Sequence, residues 1–222
     1  MSDHPPVTPH EGLQPIIDDV WFLKGSVDFK PLVRLQRNMV VLRHAGKLTL
    51  VNSIRLDDAG LAELQTLGTI AHVVKIGFHG MDDPFYMETF GATRWAVGDD
   101  DDASFPVPGV KVARFELTKS PECALLVERD GGLLITCDSV QHWEPSNLMS
   151  FMAKAVTGVM GFKKPAQIGP PWRKVNTPEG SSLKPDFERL AQLPFDKLIG
   201  GHGGLAASGA QALLKASIAR EF

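Results

Sequence analysis

Each half of the chain repeats one loose pattern: short apolar runs that read as strands, then a strand ending abruptly in polar residues, then a helix. In the first half "NMVVLRHAGKLTLVNS" gives two strands around a turn at Gly46. "RLDDAGLAELQTLG" follows, with Leu61, Leu64 and Leu67 in helical spacing up to Gly68. "IAHVVKIGF" is a strand running into His79-Gly80-Met81-Asp82-Asp83, and "DPFYMETFG" is a short helix stopped by Gly91. The second half opens with "VKVARFEL" and "ECALLVERDGGLLITCDSV", where Asp130-Gly131-Gly132 supplies the positive-φ residues of a hairpin turn. Its last third is mostly helical: "NLMSFMAKAVTGVM", a Pro/Gly/basic loop over 161–180, "KPDFERLAQL", a strand "FDKLIG" and a final helix in "LAASGAQALLKASIAREF". No fixed-period repeat underlies the echo. Two such halves predict an α/β sandwich of two sheets flanked by helices, not one doubly wound sheet.

With 222 residues, 43% of them hydrophobic and 22% charged, the chain has enough apolar mass for a substantial core. A net charge of −3 gives no footing for nucleic acid or an anionic membrane surface. The opening "MSDHPPVTPHEGLQP" has no basic segment followed by an apolar one, so it does not read as a signal peptide. Its four prolines predict a loose tail over residues 1–15, with 16–222 forming a single domain. The longest apolar stretch, "NLMSFMAKAVTGVMGF", is broken by Lys154, Gly158 and Gly161 and is no membrane span. Cys123 and Cys137 are too few for a disulfide framework and read as buried free thiols of a cytoplasmic protein.

Three strand ends carry the chemically capable side chains. They are His79 to Asp83, Asp138 after "LLITC" with His142 four residues on, and His202 among the glycines of "LIGGHGGL". Glycines beside a histidine let the backbone approach a ligand, and a carboxylate at a strand end sits at a sheet rim. Each has a plainer reading. Asp83 before Pro84 looks like an N-cap, and His44 and His72 look structural. The run "GDDDDASFPVPG" lacks the alternating ligands and tight glycine of a calcium loop and reads as solvated. The loop "GFKKPAQIGPPWRKVNTPEG" sets Lys163, Lys164, Arg173 and Lys174 against Glu179. Laid over the rim it would favour an anionic ligand; otherwise it is a solvated connector. The helix bearing Met149, Met152 and Met160 lines a pocket, forms the interface of a homodimer or simply packs in the core.

In this order the motifs resemble the metallo-β-lactamase superfamily, over nearly the whole chain after the tail. "KLTLVNS" is similar to its first acidic strand end, "SIRLDDAGLAELQTLGTIAHVVKIGFHG" to its helix and second-motif strand, "LTKSPECALLVERDGGLLITCDSV" to the span up to its bridging aspartate, and "FDKLIGGHGG" to its terminal Gly-His. The resemblance implies a four-layer αββα sandwich. It also implies damaged metal motifs. Laid on His-x-His-x-Asp-His, "GFHGMD" puts Gly77 and Met81 where ligands are expected, keeps His79, and puts Asp82 at the last histidine. At the third motif Lys119 or nearby Glu122 replaces a histidine, while Asp138 and His202 match the bridging and terminal ligands.

The ligand set so implied is His79, Asp82, Asp138 and His202, holding one divalent ion (Mn, Fe or Zn). The alternative is no metal, with Lys119 pairing Asp138. Asp82, Asp138 and His142 are the expected catalytic residues; Lys119, Trp143, Trp172 and Arg173 the expected substrate contacts. The implied function is hydrolysis of a small, anionic substrate by metal-activated water, the alternative a non-catalytic ligand- or partner-binding descendant. Neither reading calls for a nucleic-acid or membrane partner.

Overall fold

The computed structural model describes residues 4–144, 146–162 and 165–222. In chain order the first half comprises β1 (Gln14–Ile17), β2 (Val20–Lys30), β3 (Val33–His44), β4 (Lys47–Val51), α1 (Asp58–Leu67), β5 (Thr69–Lys75), α2 (Asp83–Phe90) and β6 (Thr93–Ala96). The second comprises β7 (Val110–Arg114), β8 (Cys123–Val127), β9 (Leu133–Ile135), β10 (Val140–Gln141), α3 (Phe151–Val159), β11 (Gln167–Ile168), α4 (Pro170–Asn176), α5 (Lys184–Leu190), β12 (Lys197–Ile199), β13 (Leu205–Ala206) and α6 (Ala210–Glu221). Strands β1 to β6 form one sheet in sequence order, a second runs β13-β12-β9-β8-β7, and β10 and β11 make a separate antiparallel pair.

Strand periodicity builds the layers. On β3, Val40 and Leu42 face the second sheet, meeting Leu125 and Val127 of β8 in one core. The intervening Met39 and Val41 face the opposite way, onto Leu64 of α1 and Tyr86 of α2. On β8 the alternate residues Ala124 and Leu126 turn outward to Phe187 of α5 and Leu214 of α6. Helices, sheet, sheet, helices: the expected four-layer αββα sandwich is present. The Ala45-Gly46 turn between β3 and β4 has φ of 49° and 73°, the positive pair of a tight hairpin. Gly91 ends α2 in the left-handed conformation, its N–H reaching Met87 O. Both cysteines are buried and free. No helix among the described residues is long and apolar enough to cross a membrane.

Several expectations need correction. The tail is not loose where it is described. Thr8 Oγ1 donates to Ser26 O at 2.7 Å, Ser26 Oγ to Pro9 O at 2.8 Å and Glu11 N to Lys24 O at 2.7 Å, fastening it along β2. The strand β1 already begins inside the expected tail. The loop over 161–180 contains α4, started by Pro170 and Pro171 in its first turn, where a proline costs no hydrogen bond. The final helix begins at Ala210, because Leu205–Ala206 pairs with β12 as a strand.

Asp83 is not the N-cap of α2 but lies within its first turn, buried, accepting from Ser53 Oγ at 2.6 Å. Burial pushes its carboxyl up to about 6, against the pull of Ser53 and Arg94. The folded protein therefore holds this proton more tightly than the unfolded chain. Its contribution to stability is greatest below the ordinary value of 3.8 and falls as pH rises to about 6. Asp83→Asn keeps an acceptor for Ser53 and removes that titration. It is expected to raise stability at pH 7.5 by about 1–2 kcal/mol and to give no gain near pH 3.5, as read by urea denaturation at both values.

A candidate metal centre at the sheet rim

β9 and β12 are a parallel pair in register, Ile135 opposite Ile199. The turns that follow them, carrying Asp138 and His202, therefore leave the second sheet at one edge. His79 arrives there from the loop after β5. His202 Nε2 lies 3.2 Å from Asp138 Oδ1, and His79 Nε2 lies 3.5 Å from the same oxygen. The two imidazoles meet edge to face, centroids 4.9 Å apart. Gly201 permits this approach: a β-carbon there would stand 2.9 Å from His79 Cε1 and 3.0 Å from Cys137 O.

Two amides of β3 clamp the His202 turn. Asn38 Nδ2 donates to Gly200 O at 2.8 Å, Gln36 Nε2 to Gly203 O at 3.0 Å, and Gly203 N donates back to Gln36 Oε1 at 2.9 Å. His202 Nδ1 pairs with the backbone carbonyl of Gln36. A carbonyl can only accept, so Nδ1 carries a proton and Nε2 is the atom presented to Asp138. Burial lowers the His202 pKa, but the Asp138 hydrogen bond and charge outweigh it and the net direction is upward. For His79 burial prevails over Asp138, and its pKa falls to about 4. For Asp138 burial is opposed by both imidazoles, and its pKa drops to about 2.

The other candidates are dispersed. Asp82 is fully buried and ion-paired with Arg37, also accepting from Arg55 N at 3.1 Å. That pairing corrects its expected roles as metal ligand and proton acceptor. Lys119 is exposed, and its amide is bonded to Asn176 O at 2.9 Å. Among the described residues Asp138 forms ion pairs with His79 and His202, not with Lys119. Glu122, not Lys119, points inward at the third motif, accepting from Ser139 N at 2.9 Å and Trp172 Nε1 at 2.6 Å. Burial, then repulsion from Asp138, raises its carboxyl to about 8 despite these bonds. His142 pairs through its backbone with Gly203 and does not line the cavity beside Asp138. Arg173 is engaged by Glu221 at 3.2 Å and lies over the Phe222 ring, which corrects its expected contact with substrate. Lys163 and Lys164 lie outside the described residues. Trp143 and Trp172 do line that cavity, together with Asp138 and His202, and Met160 joins them from the Met-bearing helix.

The donor set can be tested against an ion. The ligand atoms of His79, Cys137 and Asp138 lie within 4.8 Å of one another, and His79 Nδ1 is buried without a partner. His202 lies outside that group of three but contacts the same carboxylate oxygen, so two imidazoles and a carboxylate, the number of protein ligands usual for a single catalytic ion, gather around Asp138. The remaining motif positions offer no free ligand for a second ion among the described residues. A β-carbon at Gly77 would stand 2.8 Å from Cys137 Cβ and 2.9 Å from Glu122 Oε2, so that position is filled. Met81 is half exposed, Asp82 is bound to Arg37, and both Glu122 oxygens are engaged.

No family model and no curated protein sequence matches the chain. Solved structures do. The metallo-β-lactamase FIM-1 from Pseudomonas aeruginosa, in its mono-zinc form, aligns over 97% of this chain and 97% of its own at 12% identity, with a TM-score of 0.61. The metallo-β-lactamase from Pontibacter korlensis aligns over 95% and 98% at 13% identity and 0.63. One from Hirschia baltica aligns over 95% and 97% at 12% identity and 0.60. The chain has the metallo-β-lactamase fold.

Proposed function

We propose that the protein is a single-metal hydrolase of this fold, with one divalent ion (Mn, Fe or Zn) held by His79, Asp138 and His202. The observation that carries the reading is the convergence of both Nε2 atoms on Asp138 Oδ1, at 3.5 and 3.2 Å. A bound ion would act as Lewis acid and lower the pKa of its water. The chain's own residues do the rest. Gln36 O fixes the tautomer of His202, and the Gln36–Asn38 clamp holds the turn that carries it. Among the described residues Asp138 is the one carboxylate lining the cavity, and its contacts with His79, His202 and Gln141 all use Oδ1, leaving Oδ2 to accept a hydrogen bond from the attacking water. The substrate is a small molecule whose carbonyl or anionic end faces His202. FIM-1 in its mono-zinc form supports one-ion occupancy as compatible with the fold.

A metal-free binding protein is the second reading. It is favoured by the Asp138–His202 pair, which is satisfied as carboxylate and imidazolium without any ion. Elemental analysis of untagged protein separates the two, beside an Asp138→Ala/His202→Ala variant. Near-stoichiometric Mn, Fe or Zn that disappears in the variant is the expected result. Protein that is metal-free as purified and takes up neither added Mn nor added Zn overturns the hydrolase.

A further inference from the structure

We infer that the cavity beside this centre takes an amphipathic ligand: a carboxyl or acyl head attached to a long unbranched apolar chain. The inference rests on the reading of Asp138 and His202 as the place where the polar end of a ligand sits.

The cavity measures about 500 Å³, the size of a small-molecule site. Its walls come from three elements. The β2–β3 hairpin brings Val33 and Leu35, α3 and its C-cap bring Val156 and Met160, and α4 brings Trp172 and Val175. Few polar groups are left over for a ligand. Thr157 Oγ1 already donates to Ala153 O at 2.8 Å, and Gln141 Nε2 reaches Asp138 at 3.3–3.4 Å. Glu122 occupies the Trp172 indole N–H from behind. Among the described residues what remains is the Asp138–His202 pair, Lys30, the Trp143 indole N–H and Gln141 Oε1, which is buried without a partner. A sugar-like or phosphate-rich body would lose its hydration in such a space and find fewer partners than it has polar groups, at several kcal/mol for each one stranded. A hydrocarbon chain loses nothing.

The apolar surface continues outward on the same elements. Phe29 and Leu32 at the hairpin tip are 64% and 83% exposed, and Val159, one turn from Val156 on α3, is 90% exposed. Single exposed apolar residues are ordinary, but several on the elements that wall one cavity mark a binding surface. Between them and the Asp138–His202 pair, the lining among the described residues is apolar except for Lys30, Thr157, Gln141 and the Trp143 indole N–H, which suits a chain that enters from this surface and ends in one polar group.

The test uses the full-length protein and saturated carboxylates from hexanoate to dodecanoate, kept below micelle-forming concentrations. Binding is read by calorimetry and by the fluorescence of Trp143 and Trp172. Each added methylene is expected to lower Kd about three- to fourfold until the cavity is full, as burial of one CH2 group implies. Val156→Asp, on a half-exposed wall position, is expected to weaken decanoate binding at least tenfold and flatten the series while leaving the melting temperature unchanged. A Kd independent of chain length, a gradient undisturbed in Val156→Asp, or tighter binding of a phenyl phosphate than of decanoate would each overturn the proposal. Its fate is separable from that of the hydrolase. A gradient that persists in protein unable to bind metal supports the acyl site and removes the enzyme. Stoichiometric metal with no gradient does the reverse.

Discussion

Arg37→Met is expected to destabilise the protein by about 3–5 kcal/mol, the cost of stranding a buried charge. Asp82 is fully buried, and Arg37, itself 6% exposed, is its cationic partner. The Arg37 guanidinium also donates through Nε to Ser26 O at 3.0 Å, so its removal leaves that carbonyl a bond short. In the variant Asp82 keeps only the Arg55 amide, while one of its oxygens already lacks a partner. Arg37→Met/Asp82→Leu removes both charges and fills the space with apolar atoms. It should recover most of the loss, since such pairs exchange for hydrophobic residues at little net cost. Urea denaturation of the three proteins measures the effect. The experiment also decides what Asp82 is for. Were it a metal ligand, releasing it from Arg37 would raise metal affinity at little cost in stability. A loss of under about 1 kcal/mol with tighter metal binding would refute a purely structural role for Asp82.

How far the sequence speaks about this region depends on sequence separation. The layers were legible because β3 and β8 carry short unbroken apolar runs bounded by polar and turn residues, and such a run is a local signal. Asp138 and His202 were legible for a similar reason: each closes an apolar strand, and the family resemblance supplied their order. Asp82 was misassigned because its partner lies 45 residues away on β3, beyond any local pattern. The clamp was missed altogether, although β3 carried a hint. Gln36 and Asn38 share the parity of Val40 and Leu42, which face the other sheet. Polar residues on that inward face mark a place where the core gives way to a site, but their partners, Gly200 and Gly203, lie more than 160 residues on. Whether Lys119 or Glu122 pointed inward turned on where β8 begins, and strand boundaries are poorly fixed by sequence. The strand starts at Cys123, so Glu122 lies at its inner edge.

Glu122→Gln, the smallest change available at that residue, is expected to cost about 3 kcal/mol, because two buried N–H donors converge on it. In either protonation state both carboxyl oxygens retain a lone pair, one for Ser139 N and one for Trp172 Nε1. An amide nitrogen has none, so glutamine must turn its NH2 toward one donor and leave two unmatched groups facing each other. The cost should depend on pH with a definite sign. The folded protein holds the Glu122 proton up to about pH 8 and the unfolded chain only to about 4.5, so native stability falls as pH rises through that window. Glutamine does not titrate, and the gap between native and variant should be widest near pH 5 and narrower near pH 8.5. Trp172→Phe supplies the control, since it deletes one of the two donors. In the double variant the amide can satisfy Ser139 through its oxygen with nothing opposing its NH2. The pair should therefore couple by about 1 kcal/mol or more in a double-mutant cycle. Additive effects would mean that Glu122 and Trp172 are neighbours without being partners, and that the wall of the cavity is not held from behind by the Glu122 carboxyl.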